Sequence, residues 1–208
     1  YYLRKLGRLD EAASELSALE AVDKLNYMGN IEKAFLSGTF DRQLLSEQEC
    51  SMGNVSQNIL EIASAYGNMG AYDEAISLLN AYLQSRETPY PMAGYYLGYY
   101  QLEKGDIQAA KASFTRAVTW TDNYCFPFRI EEVAILNTAL QNNPSDALGH
   151  NYLGNLYYFF NRKDEAIREW KRAVDIQSSL SQAWRNLGFA YERENDLRQA
   201  VACYEKAI

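Results

Sequence analysis

Leu153-Gly154-Asn155-Leu156-Tyr157, followed by Ala166-x3-Trp170-x2-Ala173, returns 34 residues later as Leu187-Gly188-Phe189-Ala190-Tyr191 with Ala200-x3-Tyr204-x2-Ala207. His150 opens the first copy and Trp184 the second. A fixed period of this length marks stacked helical repeats, each too small to bury its apolar face without a neighbour. Upstream the copies loosen. One reads Leu97-Gly98 with Ala110-x3-Phe114-x2-Ala117, and another Ile59-x2-Ile62-Ala63-x2-Tyr66 with Ala75-x3-Leu79-x2-Tyr82. A partial copy (Leu3, Ala12, Leu16, Leu19) opens the chain. Apolar spacing of i, i+3, i+4 and i+7 gives each unit two helices. Gly98, Gly154 and Gly188 on first helices, and Ala75, Ala110, Ala166 and Ala200 on second helices, let helix axes approach, with large aromatics beside them. Asp10-Glu11, Asp73-Glu74 and Asp164-Glu165 are expected to meet the free N–H groups that open second helices. Gly7, Gly70 and Gly105 fall in the preceding turns, where positive φ is cheap for glycine.

These residues resemble the tetratricopeptide repeat, W-x2-LG-x2-Y … A-x3-F … A. The resemblance implies an all-α protein, a right-handed superhelical α-solenoid of helix-turn-helix repeats, with a non-catalytic binding role. The expected organisation is a single solenoid over 1–208. It has a partial repeat at 1–26, an irregular stretch at 27–55, repeats at 56–90 and 91–121, an irregular loop plus helix at 122–146, a repeat at 147–180 and a truncated repeat at 181–208. Tyr95-Tyr96-Leu97-Gly98, Tyr124–Arg129, Asn143-Pro144, Tyr152–Asn155 and Arg185–Gly188 are also similar to a narrower group. In that group, large bacterial proteins carry a tetratricopeptide tail behind a β-sandwich domain of uncharacterised, carbohydrate-related character. That likeness implies an alternative role, an accessory module packing on its own upstream domain.

The period breaks twice. Between Ala110 and Ala166 the surplus holds Asp122–Arg129 and a helix expected from about Ile130 to Gln141, ended by Asn143-Pro144-Ser145-Asp146, which caps the next repeat. Pro127 disfavours helix at Phe126, so Tyr124–Phe128 is expected to be an extended loop tucked against the fold, either plugging the place of a missing first helix or lining a ligand groove. Between Ala12 and Ala75 the turn signals Gly29-Asn30 and Gly38-Thr39 separate helices expected near 31–37 and 41–49. The chain opens within a first helix and stops within a second, without the polar caps of natural solenoids, so a longer parent protein is expected.

Composition narrows the function. A net charge of −7 argues against binding a phosphate backbone, and no apolar run is long enough to span a bilayer. Cys50, Cys125 and Cys203 are scattered and odd in number, which is no disulfide framework and leans towards a reducing, cytoplasmic compartment. His150 is the sole histidine and sits in a large-residue slot of its repeat, so it reads as a core residue and multi-histidine metal sites are out of reach. No phosphate-cradling glycine loop occurs, and the carboxylate pairs lie at helix starts. The reading is therefore of no enzyme, no metal and no cofactor.

First helices of stacked repeats line a concave groove, which here would present Tyr95, Tyr99, Asn151, Asn155, Tyr158, Arg185 and Phe189. Tyrosine and arginine are common binding hot spots, and an asparagine amide can pair with both N–H and C=O of a peptide. The expected partner is a protein peptide or helix, or another domain of the same polypeptide, with no nucleic acid and no membrane insertion. A second copy could pair through the uncapped C-terminal helix. Asn155 and Asn186 resemble the two asparagines of the family's carboxylate clamp. The position one turn before Asn155 is Asn151 where the clamp needs lysine, so that function is rejected.

Overall fold

Six times along the described chain a helix ends in a residue of positive φ and a second helix starts within four residues. The residues are Gly7, Gly38, Gly70, Gly105, Asn161 and Asn195, with φ between 60° and 92°. Each turn closes with one backbone bond from the following residue to the carbonyl five positions back. Arg8 to Leu3, Thr39 to Ala34, Ala71 to Tyr66, Asp106 to Gln101, Arg162 to Tyr157 and Asp196 to Tyr191 all measure 2.8–2.9 Å. This is the Schellman closure, which needs a left-handed residue and so selects Gly or Asn. In the computed structural model, which describes residues 1–120 and 125–208, every regular element is a helix. None of the described helices is long and apolar enough to cross a membrane.

Two compact units make up the chain, Tyr1–Glu87 and Thr88–Ile208. The first holds α1 (Tyr2–Lys5), α2 (Leu9–Val22), α3 (Tyr27–Ser37), α4 (Arg42–Glu49), α5 (Val55–Asn68) and α6 (Tyr72–Gln84). The second holds α7 (Pro91–Glu103), α8 (Ile107–Ala117), α9 (Glu131–Asn142), α10 (Ala147–Phe159), α11 (Lys163–Ile176), α12 (Ser181–Arg193) and α13 (Leu197–Lys206). The stretch 27–55, expected to be irregular with helices near 31–37 and 41–49, holds the pair α3 and α4, and α3 starts four residues earlier than expected. Asn26 and Asp41 cap α3 and α4 through the amides of Gly29 and Leu44, Gly38 makes the turn, and Phe35 stacks on Phe40 at 4.3 Å. Its repeat signature was hidden because α3 and α4 lack the Leu-Gly and Ala-x3-aromatic markers.

Second helices begin in one of two ways. In α4, α8 and α13 an aspartate (Asp41, Asp106, Asp196) accepts an amide of the first turn. In α2, α6 and α11 the N-cap is Arg8, Ala71 or Arg162, which makes no side-chain cap, and acids fill the first turn instead. Those acids were expected to serve the free amides, but the structure gives several of them arginine partners. Glu11 binds Arg8, Glu165 binds Arg162, and buried Glu74 accepts from Arg4 at 3.0 Å. Their interaction with the helix dipole remains, since the charge still sits within the first turn.

Within each unit the small–large complementarity is literal. A Cβ added at Gly98 would lie 2.5 Å from the Phe114 ring, at Gly154 2.5 Å from the Trp170 indole, and at Gly188 2.6 Å from the Tyr204 ring. In the first unit Ala63 and Leu79 hold the corresponding places, both fully buried. A larger small residue is matched by a smaller large one.

In the second unit α9 packs against both α7 and α10. Tyr124 and the rest of 121–124 lie outside the described residues. In the part that is described, Cys125 and Pro127 are buried, whereas Phe126 and Phe128 are 56% and 44% exposed. The reading of this loop as an apolar plug is thus corrected for Phe126 and Phe128. Alternation along extended backbone turns the small side chains in and the rings out, and Arg129 covers the Phe128 ring at 4.6 Å. Buried Glu132 holds the loop end to α9, accepting the amides of Phe128 (2.7 Å) and Arg129 (2.8 Å).

Two buried carboxylates titrate in opposite directions. Burial raises Glu132 above the ordinary carboxylate value, and the two amides offset this only in part. Burial also works to raise Glu32 in α3, but hydrogen bonds from Arg4, Tyr66 and the Tyr1 amine together outweigh it and hold Glu32 below its usual value. Their linkage to folding therefore has opposite sign. Between about pH 7 and pH 3, the stability of wild type relative to Glu32→Gln should fall as pH falls, the loss coming below about pH 5, because the unfolded chain takes up a proton that the native carboxylate resists. Relative to Glu132→Gln it should rise as pH falls, because the native state then takes up a proton that it binds more tightly than the unfolded chain does. Urea titrations across that range read both slopes, and slopes of equal sign would contradict the assignment.

Candidate functional site

The second unit joins α10 and α12 through a chain of amides. Asn186 on α12 donates from Nδ2 to Asn155 Oδ1 at 2.8 Å and to Asn151 Oδ1 at 3.3 Å. Trp170 Nε1 donates to the same Asn155 oxygen at 3.0 Å. The geometry starts from Gly154, since only a missing Cβ lets the indole lie on α10 and reach the next residue's amide. Tyr158, one turn further along α10, packs on Trp170 with centroids 5.5 Å apart and meets the edge of Phe189 at 5.9 Å. Phe189 is 46% exposed. Arg185, on α12 next to Asn186, is exposed.

Of the residues expected in a groove, the structure brings Asn151, Asn155, Tyr158 and Phe189 together across α10 and α12, with Arg185 beside them. Two are core residues and present no surface to a ligand. Tyr95 is fully buried, donating its phenol to Asp146 Oδ2 at 2.7 Å and meeting Tyr152 edge-on. Burial, and then the Asp146 carboxylate, push its pKa well up, so it stays a neutral donor. Asn151 is 1% exposed and serves Asn186 from beneath. Both misplacements have one cause. Helix spacing gives a face to within one residue's rotation, and the tilt of the neighbouring helix decides which edge of that face is covered. Tyr99, half-buried on α7, is placed edge-on to Tyr100 and not with the α10–α12 cluster. Asn186 was noted only in connection with the clamp. It belongs to the site because it is the donor that ties the two helices.

Asp146 positions this face from below. Its Oδ1 accepts Gly149 N at 2.7 Å and caps α10, while Oδ2 takes the Tyr95 phenol. Burial raises its carboxyl above the usual value against both hydrogen bonds.

The sequence profile of the tetratricopeptide repeat matches residues 60–124 and again 181–208. Tetratricopeptide repeat protein 37 of Xenopus laevis is 33% identical over 79 residues, 35% of this chain and 5% of that protein. The chloroplastic tetratricopeptide repeat domain-containing protein PYG7 of Arabidopsis thaliana is 34% identical over 59 residues, 28% of this chain and 20% of that protein. The chain thus spans a small part of these relatives. Among solved structures, that of MamA aligns over 85% of this chain and 91% of its own at 22% identity, with a TM-score of 0.41. TTC0263, a thermophilic TPR protein of Thermus thermophilus, aligns over 73% and 89% at 23% identity, with a TM-score of 0.36. Structural likeness of that degree carries no weight for function, and none of these matches bears on an upstream β-sandwich. The matched profiles, the six Schellman turns and the glycine–aromatic contacts agree: this chain carries tetratricopeptide repeats, over residues 60–124 and 181–208.

Proposed function

We propose that the chain is a non-catalytic interaction scaffold whose α10–α12 face binds an extended peptide of a partner protein. Tetratricopeptide repeats generally mediate protein interactions, and the observation that carries the reading here is the Asn155–Asn186 pair. Their mutual bond uses one amide N–H and one carbonyl. The Asn155 amide N–H2 and the Asn186 carbonyl are left on the half-buried face, a donor and an acceptor that match a peptide's C=O and N–H. Tyr158 and Phe189 supply rigid aromatic area beside them, and exposed Arg185 adds a cation at the rim. The same amides, mutually bonded and without a lysine at Asn151, do not make a carboxylate clamp.

The test is an affinity pull-down with mass spectrometry, wild type beside Tyr158→Ala/Phe189→Ala. Loss of two hot-spot aromatics should weaken a true partner by about 30-fold or more. Thermal melts by circular dichroism should show the fold kept. Partner lists that do not differ would remove this face as the binding site.

A further inference from the structure

A second site lies on another side of α10. Residues one period apart play matched parts in the last two repeats. Trp184 Nε1 donates to the carbonyl of Ser178, six residues back, at 2.8 Å. The Lys206 ammonium stands 4.2 Å from its ring centre, and Cys203 is buried nearby on α13. One period earlier these three positions are His150, Arg172 and Glu169. His150 Nε2 lies 3.2 Å from the carbonyl of Pro144, again six residues back, so the imidazole faces the same backbone group that the indole faces. Its Nδ1 meets Glu169 Oε2 at 2.6 Å, and Arg172 is held by Glu169 Oε1 at 2.8 Å. An imidazole is smaller than an indole, and a solvent-open space lies beside it. Between α9, α10 and α11 a cavity of about 390 Å³ is walled by His150, Leu140, Leu153 and Ile176, with Asn137 and Arg172 at its sides. That volume lies within the range of sites that take small ligands.

We propose that this cavity takes a tryptophan side chain of a peptide partner, laid against His150 so that the two rings together cover the surface that Trp184 covers in the next repeat. The apolar walls suit a flat bicyclic ring. Arg172 lines the cavity and holds, one period earlier, the sequence position from which Lys206 covers Trp184, so its guanidinium can make the same cation–π contact. The Asn137 side-chain carbonyl and the Asp175 carboxylate are acceptors for the ring N–H, since His150 Nε2 stands in front of the Pro144 carbonyl. Gln141, Arg172 and Asp175 are exposed, so the cavity opens to solvent. Asn155, Asn186, Tyr158 and Phe189 take no part in it, so the site is independent of the face proposed above.

The experiment is an amide-resolved NMR titration of the full chain with N-acetyl-tryptophanamide, with N-acetyl-leucinamide and free indole as comparisons. The expected result is saturable shifts at Leu140, Leu153 and Ile176 with the tryptophan probe and none with the leucine probe. His150→Trp/Glu169→Cys recreates the neighbouring repeat's own pair and fills the space, and should weaken the probe at least tenfold. Arg172→Ala, at the exposed rim where folding is not at stake, should weaken it two- to fivefold. No saturable shift, shifts away from these residues, or unchanged binding in Arg172→Ala would overturn the site. Binding of free indole without N-acetyl-tryptophanamide would overturn the peptide source.

Discussion

Gly154→Ala should destabilise residues 88–208 by about 2–3 kcal/mol, a large effect for one methyl group. The added Cβ would sit 2.5 Å from two atoms of the Trp170 indole, and that ring is 2% exposed. It cannot swing into solvent, so α10 and α11 must separate or the indole must leave its rotamer. Either movement also breaks the Trp170–Asn155 bond. Gly98→Ala should behave alike, because Phe114 is equally enclosed. Gly188→Ala should cost less, since Tyr204 is only half-buried and can yield. The first unit suggests the rescue. Ala63 and Leu79 fill the same two places there, so Gly154→Ala/Trp170→Leu should recover much of the loss that either substitution causes alone. Urea unfolding of the four proteins closes a double-mutant cycle, with a coupling of at least about 1 kcal/mol expected. Additive losses would mean that the glycine serves the backbone and not the ring.

Asp146→Ala is the second large effect, with an expected cost of about 3 kcal/mol. Losing the cap of α10 contributes about 1 kcal/mol, and leaving the buried Tyr95 phenol without its acceptor adds about 1–3 kcal/mol. The carboxylate is 1% exposed, so water cannot stand in for it without a rearrangement. Asp146→Asn keeps an acceptor and a capping side chain and should cost well under half as much. Tyr95→Phe removes only the donor and leaves the cap, so it too should be mild. Equilibrium unfolding with hydrogen exchange at α10 gives the ranking. If Asp146→Ala were no worse than Tyr95→Phe, the cap would contribute nothing.

The two Asp146 contacts differ in how far they could be read beforehand. Its capping of α10 was legible, because Asn-Pro-Ser-Asp before an apolar helix is a local signal whose physics is complete within four residues. Its bond to Tyr95, 51 positions away, was not. Tyr95 read as a groove residue because the helical period places it on the right side of α7. Only the lie of α10 across that side turns it into core. His150 shows the reverse case. Its place in a packing slot followed from the period, and it is indeed 6% exposed. That a solvent-open cavity lies beside it could not be foreseen, because such a space depends on how far α9, α10 and α11 close on one another.

By itself the sequence determined the all-helical class, the pairing of helices in the regular repeats, several of the positive-φ turns and the glycine–aromatic contacts. All of these rest on interactions between residues near in sequence or at a fixed period, which a linear pattern records. Tertiary structure decided the rest. It turned Phe126 and Phe128 outward, buried Tyr95 and Asn151, and joined Asn155 to Asn186 across two helices. Each of these depends on the crossing angle and separation of neighbouring helices, and those are set by the summed packing of many side chains rather than by any one spacing along the chain.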